Sequence, residues 1–179
     1  MTTRKSISKI TTKLLLAIVA ICTVAPFAHA QKRDIIGSFR DWDALLIKEG
    51  NTKTCYMIST PKRSTANKKN VRRGDIYITV TNRPNVGVKT EVNAVMGYPL
   101  RPNSEVSFQI DGKRAQRLFT EGSTAWAYDG KDDAKLAAAM KAGSRLVVTG
   151  TSARGTRTTD TYSLSGFTAA LNAINKACR

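Results

Sequence analysis

Apolar residues in this chain fall mostly into short runs that alternate with polar ones. A two-residue period of this kind turns one face of each segment toward a core. Ile76-Tyr77-Ile78-Thr79-Val80-Thr81 is the clearest case, filled with β-branched and aromatic side chains and ended by Arg83-Pro84. The same pattern predicts strands over residues 39–47, 54–59, 88–95, 106–110, 114–119 and 124–128. Asp111-Gly112 predicts a hairpin turn between two of them. After Asp129-Gly130 the period changes. Leu136, Ala137, Ala139 and Met140 follow Asp132-Asp133 and precede Gly143, which predicts a capped helix of about ten residues. Residues 145–151 and 158–164 return to strand around an Arg154-Gly155 turn. Phe167, Leu171, Ile174 and Cys178 then recur at helical spacing, predicting a terminal helix whose apolar face carries the cysteine. The expectation is a mainly β fold: a β-sandwich or partly open barrel of short antiparallel strands with two peripheral helices.

The first thirty residues follow a different logic. Arg4, Lys5, Lys9 and Lys13 precede an apolar run over 14–25, and Ala28-His29-Ala30 forms a small-x-small cleavage pattern before Gln31. This is the pattern of a secretory signal peptide, too short for a membrane span. It predicts a cleaved segment 1–30, a single β-rich domain over 31–179, and a periplasmic, outer-membrane-associated or secreted location. Cleavage would remove Cys22 and His29, the only histidine. Cys55 and Cys178 would then be the only cysteines, and an oxidising compartment favours a structural bridge between them. Such a bridge, pinning the penultimate residue to a strand near the start, would contribute about 4–5 kcal/mol.

Charge adds to this picture. The chain carries 29 lysines and arginines against 13 acidic residues. Four of the basic residues and none of the acidic ones lie in the first thirty, so the mature form keeps +12. That exceeds what solubility asks for and attracts the domain to anionic surfaces. From Asn51 through Gly74 there is no carboxylate, and residues 61–74 read as a loop between strands. Lys62, Arg63, Lys68, Lys69, Arg72 and Arg73 in that loop are the expected contact for an anionic partner. Lipopolysaccharide, an anionic glycan or lipid, or a host surface component fits, with peripheral membrane contact. Nucleic acid fits the charge but not the compartment.

Enzymatic readings find little support. Without histidine there is no base for a Ser-His-Asp or Cys-His arrangement. Ser59-Thr60-Pro61-Lys62 matches Ser-x-x-Lys but lacks the companion motifs of acylating serine enzymes. Asp41 and Asp43 flank Trp42 on a predicted strand, which would put both carboxylates on one side. Asp132 and Asp133 read as helix capping. Arg73-Gly74-Asp75 spells a tripeptide that some adhesion receptors read, but turn chemistry accounts for it. Trp42, Tyr77, Phe108, Phe119, Trp126 and Tyr162 are assigned to the core. No cofactor or metal site is expected, and the chain reads as a binding protein. The alternatives are an adhesion or invasion factor acting through a protein interface and a structural partner in envelope maintenance.

Several motifs also recur in a recognisable order: Arg72-Arg73-Gly74, Val80-Thr81-Asn82-Arg83-Pro84, Ile110-Asp111-Gly112, Leu118-Phe119 and Ala125-Trp126-Ala127. They are followed by Ala139-Met140-Lys141-Ala142-Gly143, Gly150-Thr151-Ser152, Arg154-Gly155-Thr156, the run Asp160-Thr161-Tyr162-Ser163-Leu164-Ser165-Gly166-Phe167 and the last cysteine. Together they resemble the invasion-associated locus B family across nearly the whole mature chain. The resemblance implies an exported, non-enzymatic envelope protein of alphaproteobacterial type and assigns no catalytic residue.

Overall fold

The computed structural model describes residues 33–179, so the expected signal peptide lies outside the described residues. Eleven strands form one sheet: β1 (Arg33–Phe39), β2 (Trp42–Glu49), β3 (Thr52–Ser59), β4 (Arg63–Ala66), β5 (Tyr77–Arg83), β6 (Val88–Val95), β7 (Glu105–Ile110), β8 (Gln116–Glu121), β9 (Thr124–Trp126), β10 (Arg145–Thr151) and β11 (Arg157–Ser163). Helix α1 (Gly130–Ala142) connects β9 to β10, and α2 (Phe167–Ala177) follows β11. The order across the sheet is β1-β2-β3-β5-β6-β9-β8-β7-β10-β11-β4, with neighbours antiparallel throughout. The fold is mainly β with two helices, and the sheet does not close into a barrel.

The chain length between two strands dictates the shape of this sheet. β3 and β4 stand eight places apart. At the usual strand spacing that is roughly 38 Å across a flat sheet. Only Thr60, Pro61 and Lys62 join them, and their reach is at most about 14 Å. The sheet therefore has to roll until β3 and β4 come within that reach, without its two edges pairing. The contacts agree with that requirement. Trp42 Nε1 of β2 donates to the Ser163 carbonyl of β11 at 3.0 Å, and Lys62, whose amide donates to Thr161 of β11 at 2.7 Å, pairs through its side chain with Asp41 of the β1–β2 turn. Beside them, the Ser59 hydroxyl at the end of the neighbouring β3 donates to the Asp41 carbonyl at 2.6 Å. Inside the roll, Trp42, Met57, Val80, Phe108, Leu118 and Val148 are buried with Phe167, Leu171 and Ile174 of α2. Trp42 and Phe167 meet edge to face, with ring centroids 5.0 Å apart.

Two strands differ from the sequence expectation. A single strand over 39–47 becomes a hairpin, with β1 and β2 joined through Arg40 and Asp41. Arg40 takes φ +56°, a conformation that usually calls for glycine or asparagine. Tertiary contact holds the turn: the Asp41 amide donates to Ser165 at 3.3 Å. The adjacent Gly166, at φ +90°, packs so closely that a Cβ there would lie 1.8 Å from the Phe39 carbonyl. The second difference is β4, which lies within the expected loop. Arg63-Ser64-Thr65-Ala66 has no apolar pattern because it is an edge strand, held by pairing with β11 and not by burial.

Helix α1 is capped by Asp129, whose carboxylate accepts from the amides of Lys131 and Asp132 at 2.8 and 2.9 Å. Asp132 pairs with Lys135. Asp133 is not a cap as the sequence implied: it is buried and accepts the Val92 amide of β6 at 2.8 Å. β9 is too short to pair with that part of β6, so a side chain supplies the acceptor. Burial, and then the neighbouring Glu91, Asp129 and Asp132, raise the Asp133 carboxyl above the ordinary aspartate range, while the Val92 bond opposes them.

Cys55 of β3 and Cys178, the last residue but one, form the expected disulfide, with Cα atoms 5.9 Å apart and a sequence separation of 123. Replacing both with serine should lower unfolding free energy by about 4–5 kcal/mol, measured by denaturant titration of oxidised parent and variant. Asp133 gives a second expected outcome. Asp133→Asn keeps an acceptor for Val92 and removes a disfavoured charge, so it should be at least as stable as the parent at pH 7. Because the folded-state pKa is raised, that advantage should shrink as pH falls through it and vanish below the unfolded value near 3.9. Asp133→Leu leaves the buried Val92 amide unpaired and should cost about 1–3 kcal/mol.

Candidate functional site

The six basic residues singled out in the sequence separate into distinct environments. Arg73 is turned inward. Its Nη1 and Nη2 meet Asp160 Oδ1 and Oδ2 at 2.6 and 2.7 Å, while Nε and Nη2 donate to the Met96 carbonyl. The Asp160 side chain is fully buried and that of Arg73 is 9% exposed. The guanidinium also lies 5.0 Å from the centre of the Tyr98 ring. The guanidinium of Arg73 is thus committed to contacts within the fold, and its tripeptide with Gly74 and Asp75 does not present a free arginine side chain. Lys62 pairs with Asp41 at the seam of the roll. Arg63 sits exposed on β4, apart from the remaining three.

Lys68, Lys69 and Arg72 share a cleft of about 600 Å³. The segment bearing them is held at both ends. Asn67 pairs with β11: its amide donates to the Arg157 carbonyl at 3.0 Å and its Oδ1 accepts the Arg157 amide at 2.9 Å. At the other end, the Gly74 amide donates to the Gly97 carbonyl at 2.8 Å. Gly97 has φ +70°, and a Cβ there would come within 2.7 Å of the Gly74 carbonyl, so this approach needs glycine. Arg73, its side chain turned inward between those anchors, leaves Arg72 beside it exposed.

The opposite wall is the β10–β11 turn. The Ser152 amide donates to Thr156, the Thr156 amide donates to Ser152 Oγ, and the Ala153 amide donates to the Pro99 carbonyl. This fixes Arg154 on the cleft. Lys68 Nζ reaches the Arg154 carbonyl at 3.5 Å. Tyr98 also lines the cleft, its hydroxyl 2.6 Å from Thr158 Oγ1. Burial raises the Tyr98 hydroxyl pKa, so the phenol stays neutral; the Thr158 bond offsets part of that rise. The lining contains Lys68, Lys69, Arg72 and Arg154 and no carboxylate. In the sequence Arg154-Gly155 carries only a turn signal, and the place of Arg154 beside a segment more than eighty residues away comes from tertiary structure.

The other candidates resolve as follows. Asp41 lies in the β1–β2 turn and Asp43 within β2, so the two do not share a strand face. Hydrogen bonding from Lys62, then from Ser163, lowers the Asp41 carboxyl pKa. Ser59 is buried against Asp41 and Lys62 is paired with the same residue, which accounts for Ser-x-x-Lys as a seam. Trp42, Phe108 and Tyr162 are core residues as expected. Tyr77, Phe119 and Trp126 are only half-buried; the latter two line a groove of about 730 Å³ beside the start of α1 with exposed Tyr128. On β11, Thr158, Asp160 and Tyr162 form an inward row. The Tyr162 hydroxyl is buried without a hydrogen-bond partner among the described residues, and burial drives its pKa far above the ordinary tyrosine range.

A family model described as "Invasion associated locus B (IalB) protein" matches residues 42–175. No match was found among curated proteins or among solved structures.

Adjacent arginines should respond in opposite ways. Arg73→Met strands the buried Asp160 charge and should cost about 3–5 kcal/mol of unfolding free energy. Arg72→Met, on the exposed side, should stay within about 0.5 kcal/mol of the parent. Adding Asp160→Leu to Arg73→Met should recover much of the loss, a coupling that a double-mutant cycle reads directly.

Proposed function

The chain belongs to the invasion-associated locus B family, and on that premise we propose that it is an exported, non-enzymatic binding protein of the cell envelope that engages an anionic partner through the cleft between residues 68–72 and the β10–β11 turn. One observation carries the reading. Four cations, Lys68, Lys69, Arg72 and Arg154, line a single concavity with no carboxylate to neutralise them. In a strongly basic chain a scatter of surface lysines would mean little. Here two segments distant in sequence deliver their charges to one place, and each is fixed by backbone hydrogen bonds. Arginine offers bidentate contact to phosphate or sulfate, and lysine adds less directional charge. The expected signal peptide supports a periplasmic, outer-membrane-associated or secreted location.

The original set of six contracts to Lys68, Lys69 and Arg72, joined by Arg154. Lys62 and Arg63 contribute to the general field only. Purified mature protein should elute late from heparin or lipopolysaccharide resin in a salt gradient. Replacing Lys68, Lys69, Arg72 and Arg154 together with glutamate should bring elution forward much further than reversing Lys62, Arg63 and two exposed lysines elsewhere. Equal shifts in the two quadruple variants would mean that net charge, and not the cleft, governs retention.

A further inference from the structure

We propose that the basic cleft recognises a phosphorylated sugar, with the phosphate on Arg72, Arg154 and the two lysines and the sugar ring against Tyr98 and Pro99. This rests on the anionic-partner reading above and specifies the ligand that the cleft accepts.

The argument begins with the contrast between the cleft's charge and its walls. A lone carboxylate or sulfate needs one or two cations. Four around one concavity suit a group with close to two negative charges and three acceptor oxygens, which describes a phosphate monoester. Phosphate alone would leave the rest of the cleft unused. Val71, Tyr98, Pro99 and Ala153 give an apolar and aromatic side to an otherwise cationic concavity. Its volume of about 600 Å³ is in the range of small-molecule sites, which pair apolar walls with a few placed polar groups. An aromatic ring beside charged donors suits a sugar, whose C–H face packs on the ring while a phosphate substituent meets the cations.

The site is also organised before any ligand arrives. Tyr98 cannot turn freely, because its hydroxyl is tied to Thr158 and the Arg73 guanidinium lies over its ring. That guanidinium is itself fixed by Asp160, whose side chain is wholly buried. The Arg73–Asp160 pair therefore holds both the ring at the cleft and the chain that presents Arg72. A rigid recognition surface loses less freedom on binding. An anionic polymer lying along an open cationic face would need none of these devices.

The test is calorimetric titration of the mature protein at constant ionic strength with glucosamine 1-phosphate, glucosamine and inorganic phosphate, alongside lipopolysaccharide-resin retention of the same preparations. Glucosamine 1-phosphate should bind at least tenfold more tightly than inorganic phosphate, with glucosamine undetected. Arg72→Gln and Arg154→Gln, both at exposed positions, should each weaken it at least tenfold. Val71→Ser should lower affinity for the sugar phosphate and leave that for inorganic phosphate unchanged. Lipopolysaccharide should compete with glucosamine 1-phosphate, whereas phosphatidylglycerol vesicles should not. Equal affinity for inorganic phosphate and the sugar phosphate would overturn the sugar contact, and competition by the vesicles would reassign the cleft to phospholipid. No binding of the sugar phosphate, with resin retention intact and dependent on the four cations, would overturn this inference and leave the anionic-partner reading standing. Loss of cation-dependent retention would defeat both.

Discussion

Three residues between β3 and β4 impose the shape of this protein. Thr60, Pro61 and Lys62 must carry the chain from the third strand position to the eleventh, a journey that a flat sheet would not permit. Rolling the sheet brings Trp42 under the end of β11, creates a seam of hydrogen bonds at Asp41, Ser59 and Lys62, and gives α2 an interior to cover. It also brings the segment after β4 against the β10–β11 turn. The basic cleft is a by-product of this closure, assembled where the returning chain leaves the sheet edge.

The roll also puts a charge inside. Arg73 and Asp160 meet in a buried bidentate pair, with Tyr98 packed against it. Apolar residues of similar volume can often replace such a pair without loss of stability. What distinguishes this one is its direction: Arg73 points inward so that Arg72, one position earlier, stands on the rim. Adjacent residues of one type thus face opposite ways. Their division depends on Asp160, nearly ninety residues further along the chain.

Much of this architecture was legible in the residues. β5, β6, β7, β10 and β11 announce themselves by alternation, and α2 by the spacing of Phe167, Leu171 and Ile174. The bridge followed from the number of cysteines. What escaped was whatever depends on distant parts of the chain. Arg40 carries no turn signal because Ser165 and Gly166 hold its conformation from outside. β4 carries no apolar signal because its stability comes from backbone pairing with β11. Within the basic segment, charge alone could not separate a buried Arg73 from an exposed Arg72, and nothing local marked Arg154 as part of the same site. Composition showed that a cationic surface existed; only the packed sheet decided which cations share it.

The position of Cys178 has a consequence for the order in which this molecule is made. Synthesis presents Cys55, on β3, 123 residues before its partner Cys178. The bridge between them cannot close until β4 to β11 and both helices have emerged. For all of that interval Cys55 remains a free thiol, open to the wrong partner. Closing the bridge therefore comes late in the folding of this domain: it joins the end of α2 to β3 only after every strand between them has been delivered.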